Sequence, residues 1–71
     1  MHFRRLKDLR EDHDLKQSEI AEFLGIQQTV YSRYERGFQN IPLEHLMKLA
    51  QMYKVSTDYI LGLTDNPQRN L

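Results

Sequence analysis

The chain has no cysteine and no tryptophan among its 71 residues. Without thiols there is no disulfide framework, no thiolate nucleophile and no cysteine-ligated zinc. A chain this short then depends on tight packing of apolar side chains, or on association. Long hydrophobic runs are also missing, and no stretch approaches the ~20 apolar residues that a membrane-spanning helix needs. The opening MHFRRLKDLR is broken by acids and bases and does not read as a signal peptide. A cytoplasmic protein is the expectation. Neither charge sign is in excess, with 10 Lys and Arg against 10 Asp and Glu. A polyanionic partner would therefore have to be met by local placement of charge. His2, His13 and His45 are scattered, with no metal or catalytic partner at short spacing. Asp8, Glu11, Asp12 and Asp14 read as solvated surface. We therefore expect no catalysis, no metal and no cofactor.

What the sequence has is helical periodicity punctuated by a few glycines and prolines. Phe3, Leu6 and Leu9 recur every third residue and predict a first helix over 3–11, with Leu15 pinning the polar turn that follows. Gln17 to Leu24 predicts a second helix, with Ile20, Phe23 and Leu24 as its apolar face and Gly25 as its stop. Gln28 to Arg36 predicts a third, closed by Gly37. A fourth runs from Pro42 to about Tyr53, with proline suited to the first turn. Its stripe is Leu43, Leu46, Met47, Leu49, Ala50 and Tyr53. Ser56 is a good N-cap for a short fifth helix from Thr57 to about Leu61, ended by Gly62. The expected class is all-α: a compact five-helix bundle over 1–63, with a flexible tail over 64–71.

The spacing from Gln17 to Arg36 predicts two short helices crossing steeply around Gly25, with small Ala21 at the close approach. If Tyr31 and Tyr34 face inward, then Gln28, Thr29, Ser32 and Arg33 cluster outward and toward the helix start. These side chains suit base edges. Glutamine matches adenine N6 and N7, arginine matches guanine O6 and N7, and the threonine methyl can touch thymine. Gln17 and Asn40, each near a helix start, are candidate phosphate contacts. Arg10 and Lys16 are candidate electrostatic aids, and Arg36 a phosphate contact or local ion-pair member. Glu35 fits a salt bridge better than a groove.

The segments LKQSEIAEFLGIQQTVYSRYERG and IPLEHLMKLAQMYKVSTDYILG resemble the Cro/C1-type helix-turn-helix domain of phage and bacterial repressors, the Xre family. The resemblance covers about residues 3–62. It rests on Gln17, Ala21, Gly25, the SRYERG ending and VSTDYILG. It implies a lambda repressor-like fold and sequence-specific binding of double-stranded DNA, with the third helix in the major groove. Positions matching Gln28, Thr29, Ser32 and Arg33 read bases, and those matching Gln17 and Asn40 touch the backbone. A palindromic operator and a homodimer are implied, the latter through the surface around Thr57, Tyr59, Ile60 and Leu63. Transcriptional regulation, most simply repression, follows. The alternative is a protein-interaction module, such as an antitoxin or a domain of a larger regulator. The chain departs from the family at Lys16 and Gln27, where Ser or Thr caps are common. Each departure costs about 1 kcal/mol of local stability.

Overall fold

The computed structural model describes residues 4–68. The helices are α1 (Arg4–Asp12), α2 (Gln17–Leu24), α3 (Gln28–Arg36), α4 (Leu43–Tyr53) and α5 (Thr57–Leu61). No strand occurs among the described residues. The five-helix, all-α expectation holds. Phe3, expected on the first apolar stripe, lies outside the described residues. Leu6 and Leu9 of α1, Ile20 and Leu24 of α2, Tyr31 and Tyr34 of α3, and Leu46, Leu49 and Tyr53 of α4 meet in one core, closed by Val55 and Ile60. Leu15 packs against its edge, as expected.

All five helices end in the same backbone device. Asp14, Gly25, Gly37, Lys54 and Gly62 take the left-handed conformation, with φ of 55°, 72°, 77°, 57° and 78°. The next residue then donates its N–H to a carbonyl five residues back: Leu15 to Arg10 at 3.0 Å, Ile26 to Ala21 at 3.0 Å, Phe38 to Arg33 at 3.0 Å, Val55 to Ala50 at 3.0 Å, and Leu63 to Asp58 at 2.9 Å. The glycine stops are legible in the sequence. Those at Asp14 and Lys54 are not, because a side chain normally disfavours this conformation by roughly 1–2 kcal/mol.

Helix starts differ more. Ser56 Oγ accepts the Tyr59 N–H at 3.0 Å, the expected cap. Neither Lys16 nor Gln27 caps with its side chain. At Lys16 the return half of a capping box survives, since its backbone N–H donates to Glu19 Oε1 at 3.0 Å. An ammonium has no lone pair with which to complete the other half. Pro42 precedes α4 in an extended conformation, φ −61° and ψ 147°, rather than sitting inside the first turn.

Three expected core residues are exposed. Phe23 is 48% exposed because Ile20, Ala21 and Leu24 define the buried face of α2 and Phe23 falls on its flank. Met47 is 49% exposed, ~100° round the helix from buried Leu46, and Leu43 is 70% exposed at the very start of α4. Residues 64–67 are held to the bundle by hydrogen bonds. The Arg5 guanidinium donates to the carbonyls of Tyr59, at 2.8 Å, and Thr64, and to Asp65 Oδ1 at 2.6 Å. Ser56 N–H donates to the Pro67 carbonyl at 3.1 Å. One guanidinium has enough donors to hold several acceptors together.

Candidate nucleic-acid interface

α3 presents two opposite faces. Tyr31, Tyr34 and Glu35 point inward and are 0%, 2% and 4% exposed. The tyrosine rings meet edge-on, with centroids 6.3 Å apart and planes at 84°, a favoured aromatic geometry. The inward reading of both tyrosines holds. Ala21 is 2% exposed where α2 and α3 pack together. A larger side chain there would push the two helices apart.

Glu35 is the polar anchor of this packing. Arg10 Nε donates to its Oε2 at 2.7 Å and Arg10 Nη2 to its Oε1 at 3.2 Å. Gln17 Nε2 donates to the same Oε1 at 3.2 Å, and Arg10 Nη1 to the Leu15 carbonyl at 3.0 Å. One carboxylate thus ties α1 and the start of α2 to α3, which limits rotation of α3 about its axis. Arg10, expected as an electrostatic aid to phosphate binding, is instead committed to this forked pair, its side chain only 14% exposed. Hydrogen bonding to Glu35 raises its pKa above the ordinary arginine value, so it stays charged.

The neighbouring phenols are held neutral. Burial pushes Tyr53 up to about 12, with the Glu35 charge adding to the effect. Burial first, then the adjacent Glu35 carboxylate, pushes Tyr31 higher still, and burial raises Tyr34. Free tyrosine titrates at about 10. A folded pKa above the unfolded value gives stability that is complete below about pH 10 and is lost as pH climbs toward 12. In an alkaline titration, phenolate absorbance of the buried tyrosines is therefore expected to appear together with loss of helical circular dichroism. Full phenolate absorbance with the helix signal intact would contradict this.

The outward side of α3 forms a shallow groove lined by Gln17, Gln28, Thr29, Ser32, Arg33 and Arg36. The structure thus brings together the four expected base-reading side chains and two of the expected phosphate contacts. No acid lines this groove. Glu35, the nearest acid in sequence, is turned inward and neutralised by Arg10. Other acids are also paired: Glu11 with Lys7 at 3.8 Å, Glu44 with Lys48 at 3.7 Å, and Asp65 with Arg5 at 2.6 Å. With Arg33 and Arg36 in a groove that no acid lines, a neutral total coexists with a locally cationic face. Lys16 is exposed just before α2, and Asn40 is exposed in the link before α4; neither lines the groove. A second groove shares Gln17, Ser32 and Arg36, and continues past Arg4, Lys7 and Phe38 beside the acids Asp8, Glu11 and Glu35. Sequence reasoning missed this extension, because the packing of α1 beside α3 leaves no local signature.

The expected dimer surface is less coherent. Ile60 is 1% exposed and belongs to the chain's own core, so it is unavailable to a partner. Tyr59 is half-buried beneath the Arg5 guanidinium, 4.1 Å from its ring centre. Thr57 is partly exposed, and Leu63 is 74% exposed.

No helix of the described residues is long and apolar enough to cross a membrane. Among them there is also no group of three or more His, Asp or Glu placed to hold a metal ion.

A family model described as helix-turn-helix matches residues 6–60. The chain is 46% identical over 67 residues to an uncharacterised helix-turn-helix-type transcriptional regulator, YobD, of Bacillus subtilis, covering 94% of this chain and 60% of that protein. It is 41% identical over 51 residues to the cryptic phage CTXphi transcriptional repressor RstR of Vibrio cholerae, covering 72% of this chain and 46% of the repressor. It is 39% identical over 57 residues to the antitoxin PezA of Streptococcus pneumoniae, covering 80% of this chain and 36% of the antitoxin. The chain thus spans under two thirds of the length of these relatives. No solved structure gives a significant match. With the family model covering most of its length and α2 and α3 packed around Gly25, the chain belongs to the helix-turn-helix family of the Cro/C1 type, the Xre family.

Proposed function

We propose that this domain binds double-stranded DNA sequence-specifically, with α3 in the major groove, and acts as a transcriptional regulator, most simply a repressor. The observation that carries the reading is the acid-free groove of Gln17, Gln28, Thr29, Ser32, Arg33 and Arg36 on a chain of zero net charge. Amides, hydroxyls and guanidinium groups on one helix face match base-edge donors and acceptors. Gln17 at the start of α2, and Asn40 with the free N–H groups at the start of α4, supply phosphate contacts that set the register. Lys16 and Arg36 add charge at the periphery. Catalysis has no part in this reading, and no cofactor enters it.

A groove of this size reads only a few base pairs. A second copy on a two-fold related half-site would supply the remaining affinity. Thr57 and Leu63 stay available for that contact, and Met47 and Thr57 border a shared depression between α4 and α5. The likeness to the transcriptional regulator YobD and the transcriptional repressor RstR supports a regulatory role. The likeness to the antitoxin PezA supports the alternative, in which the same fold serves mainly to bind a protein partner. Selecting bound duplexes from a random pool tests these readings. Recovery of a palindrome with half-sites about one helical turn apart, bound by two copies per duplex in sedimentation, is the expected result. A pool that stays random after repeated selection would remove the DNA reading.

A further inference from the structure

We propose that Phe38 is a positioning residue for Arg36, holding its guanidinium at the rim of the groove where a DNA phosphate would pass. The inference rests on the DNA reading above. An apolar residue just after a left-handed helix stop usually folds back onto the helix or core. Val55 does so and is 6% exposed, and Ile26 and Leu15 pack against the core edge, while Leu63, after the last stop, is 74% exposed. Phe38 makes the same backbone bond, to the Arg33 carbonyl at 3.0 Å, yet the residue is 75% exposed. What the ring meets is Arg36, whose guanidinium carbon lies 4.9 Å from the ring centre.

The backbone bond fixes where Phe38 leaves the helix, and the ring then restricts the flexible arginine above it. Arg36 belongs to both grooves, so the stacked guanidinium stands where the reading face meets its extension toward Arg4 and Lys7. Asp8 and Glu11 border that extension, but neither pairs with Arg36 among the described residues. Glu35 is occupied by Arg10 and Gln17. Arg36 is therefore oriented by an aromatic face, and among the described residues its N–H donors meet no acceptor that would compete with an anion. A cation on an aromatic ring keeps its in-plane donors, so stacking and phosphate binding are compatible.

The test is a double-mutant cycle on the duplex selected above, read by fluorescence anisotropy over a range of salt, with folding checked by circular dichroism. Exposed cation–π contacts correspond to a factor of roughly 2–5 in an equilibrium constant. Phe38→Ala is expected to weaken binding by about that factor per half-site, or roughly 4–25-fold for a symmetric pair. Phe38→Tyr should stay close to wild type. Arg36→Ala should lower the slope of log affinity against log salt by about 0.9 per half-site. In the Arg36→Ala background, Phe38→Ala should have no further effect. Three results would overturn the proposal while leaving wild-type binding intact: Phe38→Ala equal to wild type, an equal loss in both backgrounds, or an unchanged salt slope in Arg36→Ala. Failure of the wild-type chain to select any duplex would overturn it together with the DNA reading.

Discussion

Glu35→Ala is expected to destabilise the domain by about 3–5 kcal/mol, the usual cost of removing one partner from a buried ion pair. Glu35 is 4% exposed and accepts three hydrogen bonds, two from Arg10 and one from Gln17. Without it, the Arg10 charge stays on a side chain only 14% exposed and loses its two carboxylate hydrogen bonds. Proteins are stable by roughly 0.05–0.15 kcal/mol per residue, so a loss of this size removes a large share of the stability of a chain of 71 residues. The paired replacement Arg10→Met with Glu35→Leu removes both charges and keeps apolar volume. It is expected to recover most of the loss, since well-packed apolar residues often match or exceed a buried ion pair. Chemical denaturation of the three variants checks this. A loss in Glu35→Ala below about 1 kcal/mol, typical of an exposed pair, would show that the carboxylate does not anchor α3.

The second large effect is on binding. Arg33→Ala, in the middle of the outward face of α3, is expected to cost about 1–3 kcal/mol per half-site on the selected duplex. With two half-sites this is roughly 30-fold to 10⁴-fold, at ~1.4 kcal/mol per tenfold. Binding to a random duplex should fall far less, because only one charge per copy is lost there and base contacts do not contribute. The diagnostic quantity is the ratio of the two affinities, measured at one salt concentration. Equal weakening on both duplexes would make Arg33 a phosphate contact rather than a reader.

Much of this arrangement was legible in the chain itself, for local reasons. Tyr31 and Tyr34 are three apart among polar neighbours, and helical geometry turns them to one side and Thr29 and Arg33 to the other. The glycines mark three of the five helix ends. Short-range spacing was therefore enough to assemble Gln28, Thr29, Ser32 and Arg33 into one groove. The failures are of two kinds. Some depend on long-range packing, as when Arg10 finds Glu35 across 25 positions of sequence, or Arg5 reaches across to the segment after α5. Others arise because an apolar residue on a short helix does not declare its direction. Tyr59, Ile60 and Leu61 are consecutive, and only the docking of α5 on α1 and α4 selects Ile60 for the core. Phe23 and Met47 look like core residues by type and fall on flanks by angle. Phe38 looks like a core plug by its position after a helix stop, and instead meets Arg36.

The central claim, that the α3 face meets DNA, is tested most directly by mapping backbone amide shifts while the selected duplex is titrated into labelled protein. The largest changes are expected at Gln17, Gln28, Thr29, Ser32 and Arg33, with a second set at Asn40 and the start of α4. Changes centred instead on Met47, Thr57 and Asp58, with Gln28 to Arg33 unmoved, would place the nucleic acid at the depression between α4 and α5 and contradict the proposed function.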